Sequence, residues 1–83
     1  MFMKRKNDFK TTEYYLAVTL LALKEELVGI EKSYDQKRAF FIFKKSPTLD
    51  RHIENFRQGK LLIEPQTLFM QHKSLKSRLY NNY

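Results

Sequence analysis

Eighty-three residues, 42% of them apolar, supply one compact core and too little interior for two. The absence of cysteine excludes a disulfide framework, zinc fingers and ribbons, cysteine-held iron–sulfur clusters and thiol catalysis, and it fits a reducing compartment. Sixteen Lys and Arg against nine Asp and Glu leave a net charge of +7, a field that attracts polyanions without naming one.

Residues 1–10 carry Lys4, Arg5, Lys6 and Lys10 against Asp8 and show little apolar periodicity, so they read as a mobile basic arm ahead of a single domain over 11–83. That basic stretch and the apolar run from Tyr14 to Leu23 imitate a signal peptide. Asp8 and Glu13 interrupt the first, Lys24-Glu25-Glu26 closes the second, and no small-x-small cleavage site follows. The run is also much shorter than the ~20 apolar residues a membrane-crossing helix needs. The expectation is a soluble, cytoplasmic protein with no membrane partner.

Thr11 or Thr12 can cap a first helix, Glu13 suits its positive end, and no Gly or Pro interrupts the chain as far as Glu26. Leu16, Leu20, Leu23 and Leu27 form a stripe that Tyr14, Ala17, Val18 and Leu21 broaden, so this helix should be the most buried. Leu27 to Ile30 and Arg38 to Phe43 are rich in β-branched and aromatic residues and read as a hairpin. Its connector lacks Asn-Gly or Asp-Gly, which predicts a loop of about four residues. In the second strand Ala39, Phe41 and Phe43 share one face, and Phe40 and Ile42 share the other with Arg38 and Lys44.

Ser46-Pro47 predicts the start of a second helix, with Ser46 as N-cap and Pro47 in the first position. Leu49, Ile53 and Phe56 then recur at helical spacing, and Gly59 supplies the stop. Leu61-Leu62-Ile63 reads as a third strand, closed by Glu64-Pro65 at the start of a third helix that runs to about Tyr80 on the stripe Leu68, His72, Leu75 and Leu79. The expected fold is α+β in the order α-β-β-α-β-α, a small three-stranded, largely antiparallel sheet packed by helices.

The segments Thr11-Thr12-Glu13-Tyr14-Tyr15-Leu16-Ala17, Leu27-Val28-Gly29-Ile30, Phe41-Ile42-Phe43 and Phe56-Arg57-Gln58-Gly59-Lys60, followed by Pro65, resemble a small prokaryotic and phage-type family of unknown function. The resemblance spans roughly residues 11–80. It implies a free-standing small domain, often encoded near mobile elements, and brings no reaction, ligand or site residue with it.

Catalysis has the least support. His52 and His72 fall on separate predicted helices, outside any H-x-x-x-H or H-E-x-x-H spacing, and each lies beside an apolar stripe as a boundary imidazole would. With Gly29 and Gly59 as the only glycines, no Gly-rich phosphate loop can form. The expectation is no enzyme, no cofactor and no metal.

Nucleic-acid binding, to DNA or RNA, is the leading expectation. The arm (Lys4, Arg5, Lys6), the flanks of the aromatic strand (Lys37, Arg38, with Lys44 and Lys45) and the third helix (Lys73, Lys76, Arg78) make three basic clusters that a fold can gather to grip phosphates. Tyr34, in the hairpin loop beside Lys32 and Lys37, is the first candidate for an exposed stacking ring; Tyr14, Tyr15 and Tyr80 are others. The alternative is a protein-interaction module: a homodimer, or a regulator of a larger, acidic-surfaced partner. It would dock through Phe40 and Ile42 on the outer sheet face.

Overall fold

The computed structural model describes residues 8–35 and 37–81; Lys4, Arg5 and Lys6 of the basic arm lie outside the described residues. In chain order the elements are β1 (Phe9–Thr11), α1 (Tyr14–Ala22), β2 (Leu27–Lys32), β3 (Ala39–Phe43), α2 (Leu49–Arg57) and α3 (Pro65–Asn81). The fold is α+β, three helices on a three-stranded antiparallel sheet, as the sequence predicts. The order is β-α-β-β-α-α, however, and the third strand is a different segment. Phe9–Thr11 pairs along β3, with Phe9 opposite Phe43 and Thr11 opposite Phe41. Leu61–Ile63 forms no strand, and Leu62 is 97% exposed. The last two residues of the expected arm, Phe9 and Lys10, therefore belong to the sheet.

The sheet order is β1-β3-β2, which places the aromatic strand in the centre. Leu27 faces Phe43 and Gly29 faces Ile42, so Val28 is an extra residue in the ladder, a β-bulge. In a regular strand Leu27 and Ile30 would point to opposite faces; the bulge turns both toward the helices. They join Phe9 and Ala39 around a core of Leu16, Ala17, Val18, Leu20, Phe41, Phe43, Leu49 and Leu75.

α1 is apolar on nearly every side because it is the middle helix. Its residues Leu16 to Leu20 are all buried, and the hydroxyl of Thr19 is satisfied by donating to the Tyr15 carbonyl at 2.7 Å. α2 runs antiparallel to it: Arg57 at the end of α2 forms a two-pronged pair with Glu13 at the start of α1 (2.7 and 2.5 Å). α3 is antiparallel as well, since Tyr14 meets His72 while Val18 and Thr19 face Leu68 and Phe69. The start of α1, the end of α3 and the β2–β3 loop thus share one end of the molecule.

The helix boundaries follow from their caps. Glu13 is the N-cap of α1, and its N–H donates to the Thr11 hydroxyl at 3.1 Å. The helix stops four residues short of the expected Glu26 because Lys24 turns left-handed (φ 68°), with the N–H groups of Lys24 and Glu25 returning to the carbonyls of Leu21 and Leu20. Gly59 closes α2 in the same way, as predicted: its N–H reaches Phe56 O and that of Lys60 reaches Asn55 O. Ser46 does not cap α2. The helix begins after Thr48, because the hydroxyls of Ser46 and Thr48 both go to Glu25. At α3 the expected start holds, with the Glu64 carboxylate accepting from the Thr67 N–H at 2.9 Å and Pro65 in the first position.

Candidate nucleic-acid interface

Four ion pairs join charged side chains among the described residues. Lys10 pairs with Glu31 at 3.1 Å, Lys45 with Asp50 at 3.3 Å, His52 with Glu25 at 2.8 Å and Arg57 with Glu13 at 2.5 Å. None holds Lys37, Arg38, Lys73, Lys76 or Arg78, all of which are exposed. The surface concavities divide in the same way. A groove of about 530 Å³ beside β1 contains Lys10 and Arg57, both already paired, and one of about 310 Å³ near Pro47 mixes Lys24, Lys44 and Lys45 with Glu25 and Glu26. A third, of about 360 Å³, is lined by Thr12, Tyr14, Lys37, Arg38, Ala39, Phe41 and Leu79, with two unpaired cations and no carboxylate.

That third groove lies where the hairpin loop meets the last turns of α3. The loop is braced from within: the Asp35 carboxylate accepts from the Ser33 hydroxyl (2.6 Å) and the Lys37 N–H (3.1 Å), and the Ser33 hydroxyl accepts from the Arg38 N–H (3.1 Å). The Ser33 and Lys37 hydrogen bonds hold the Asp35 carboxyl below its usual range, so it stays ionised and committed to the loop. Tyr34 projects fully exposed from this turn.

On α3 the predicted core stripe of Leu68, His72, Leu75 and Leu79 faces inward. Lys73 and Lys76 share a flank with Phe69 and Tyr80, while Arg78 sits on the opposite flank, where it also complements the helix C-terminus. The expected clusters are brought together only in part. Lys37 and Arg38 meet the end of α3, whereas β1 enters the sheet beside Phe43, at the other end of β3.

Of the two residues expected to dock a partner on the outer sheet face, neither is fully exposed. Ile42 is fully buried, since it occupies the central strand between Lys10 of β1 and Gly29 of β2. Phe40 is half-buried: the Lys10 ammonium lies 4.6 Å from its ring centre on the way to Glu31 across the sheet. Among the proposed exposed rings, Tyr14 is also covered. Its hydroxyl donates to the His72 carbonyl at 3.0 Å, which leaves His72 Nδ1, 2.9 Å away, as the donor back to the phenol oxygen. Burial, followed by the nearby Tyr15 and Tyr80, raises the Tyr14 pKa and keeps it protonated.

A polar cluster that the sequence does not reveal closes the opposite end. Glu25, buried, accepts from Ser46 (2.6 Å) on Oε1 and from Thr48 (2.6 Å) and His52 Nδ1 (2.8 Å) on Oε2. Burial pushes its pKa up, but the three hydrogen bonds and the His52 charge outweigh it and leave the value lowered. The residue types resemble those of a hydrolase, yet the Ser46 hydroxyl donates to the carboxylate and not to His52, so this cluster holds no Ser46–His52 nucleophile–base pair. Among the described residues, no group of three or more His, Asp or Glu side chains is placed to hold a metal ion, and no helix is long and apolar enough to cross a membrane.

The fold and surface describe a small α+β domain with a carboxylate-free groove, lined by two exposed cations, at one end. The chain belongs to the family described as a domain of unknown function (DUF5659), whose model matches residues 6–81. No curated protein and no solved structure matches it.

Proposed function

We propose that the protein is a small, non-catalytic nucleic-acid-binding or accessory protein that holds phosphates through Lys37, Arg38, Lys73, Lys76 and Arg78, with Lys4, Arg5 and Lys6 adding to the pull. One observation carries this reading: these five exposed cations have no ion-pair partner among the described residues, while Glu13, Glu25, Glu31 and Asp50 are held in ion pairs and Asp35 and Glu64 brace a loop and cap a helix. Unpaired surface cations release condensed counterions when they meet a phosphate backbone, which is the main source of sequence-independent affinity. A groove with two such cations and no carboxylate supports the same reading. Its non-catalytic character is supported by the Glu25 cluster, whose hydrogen-bonding capacity is used internally. The cysteine-free chain suits a cytoplasmic setting, and the family resemblance suits a mobile-element one.

Fluorescence anisotropy with labelled oligonucleotides at ~50 mM salt tests this. The double variant Lys37→Glu/Arg38→Glu is expected to bind at least tenfold more weakly, while Lys45→Glu, whose native partner is Asp50, changes binding little. Equal losses in both variants would reduce the effect to net charge and remove the groove from the account.

A further inference from the structure

The cations alone do not choose between single strands and duplexes; the rings beside them do. Between α1 and α3 lies a mostly apolar notch of about 160 Å³, lined by Tyr15, Val18, Thr19, Leu68, Phe69 and His72. Its two rim residues are large rings left mainly in solvent, Tyr15 at 71% and Phe69 at 65% exposure. Along α3, Phe69, Lys73, Lys76 and Tyr80 recur at i, i+4, i+7 and i+11, so ring, cation, cation and ring follow one another on a single flank. At the rise of an α-helix that row spans about 16 Å. Tyr80 is 77% exposed, and neither lysine has an ion-pair partner among the described residues.

Building on the nucleic-acid reading, we propose that this α1/α3 flank binds single-stranded nucleic acid. One base sits in the notch between Tyr15 and Phe69, a second stacks on Tyr80, and the intervening phosphates meet Lys73 and Lys76. Base faces are hidden inside a duplex and open in a single strand, so exposed rings add affinity only for the latter. The notch is pre-formed: the Tyr14–His72 hydrogen bonds fix the imidazole at its floor, and Val18 and Leu68 are anchored by the core. A second copy of this chain is disfavoured as the occupant, because its +7 charge would repel the same lysine-bearing flank.

The test uses the full chain and a fluorescein-labelled 15-nucleotide single strand of mixed sequence, the same strand annealed to its complement, and unlabelled polyglutamate as competitor. The single strand is expected to bind at least tenfold more tightly than the duplex. Phe69→Ala and Tyr15→Ala, both at exposed positions, are expected to weaken single-strand binding by about 5- to 100-fold. The salt dependence should stay the same, and duplex binding should be unchanged. Lys73→Glu, by contrast, should lower the salt dependence. Circular dichroism confirms that each variant is folded. Equal affinity for both forms, with no effect of Phe69→Ala, overturns the single-strand inference and leaves the nucleic-acid reading standing. No binding to either form overturns both. Polyglutamate binding at the notch in preference to the oligonucleotide would assign the flank to an acidic protein and contradict the proposal.

Discussion

Glu25 carries more of the structure than its place in the run Lys24-Glu25-Glu26 suggests. Its carboxylate links the turn after α1 to the approach to α2, and both oxygens are occupied. Glu25→Gln keeps the shape but leaves donors unmatched in a buried site, and should lower stability by about 2–3 kcal/mol in urea denaturation at pH 7. The pH dependence has a definite sign. The folded pKa is lowered from an unfolded value near 4.5, so the stabilisation is complete above that pH and is lost as pH falls toward the folded value. The difference between wild type and Glu25→Gln should therefore shrink in acid. A constant difference from pH 7 to pH 3 would mean that the ionised carboxylate is not what the cluster needs. Lys24 gives the opposite kind of prediction. It holds the left-handed position that Gly59 fills at the end of α2, and a side chain there costs about 1 kcal/mol relative to glycine. Lys24→Gly should raise stability by about that amount, and Gly59→Ala should lower it similarly.

At the scale of elements, β1 and the Leu61–Ile63 segment separate what patterning shows from what only packing decides. Leu61–Ile63 looks like a strand because three apolar residues stand between a glycine stop and a proline start, yet it finds no ladder and only leads the chain from α2 to α3. Phe9-Lys10-Thr11 is too short and too polar to show a period, and becomes a strand because Phe9 and Thr11 pair with Phe43 and Phe41. Phe9→Ala should cost about 1–2 kcal/mol, while Leu62→Ser should change stability by less than ~0.5 kcal/mol. Thermal melts of the two variants check this, and the reverse ranking would restore the Leu61–Ile63 strand. The helices are legible because their signals are local: a carboxylate before Pro65, Gly59, and stripes of period 3.6. Ser46 misleads because its hydroxyl has a stronger tertiary acceptor in Glu25 than the local N–H groups. The bulge at Val28 and the burial of Ile42 depend on which strands flank which, and no local pattern carries that. For the interface, composition and spacing are enough to name the cations and the exposed Tyr15, Tyr34 and Tyr80. Phe69 escapes that reading, although its offset from the Leu68–Leu75 stripe marks it as outward-facing.

Across the whole molecule, the opposing charges are not evenly mixed. Ion pairs tie α1 to α2 and β1 to β2, while five exposed cations outside those pairs lie on α3 and in the β2–β3 connection, and Lys24, Lys44, Arg51 and Lys60 lie elsewhere on the surface. A small domain with this arrangement keeps its fold through internal contacts while its unpaired charge faces outward. The exposed Glu13–Arg57 pair adds little to the stability of that fold, and Arg57→Ala should lower it by no more than about 1 kcal/mol. The same substitution should leave oligonucleotide affinity close to that of the wild type, since Arg57 is already neutralised. The most direct measurement is the affinity for a single-stranded oligonucleotide as a function of salt. If four of the five cations contact phosphates, the slope of log K against log salt should be about −3, a loss of roughly 50-fold between 50 and 200 mM. Lys37→Glu/Arg38→Glu should flatten that slope. Affinity that does not change with salt, or no detectable binding at 50 mM, would contradict the account.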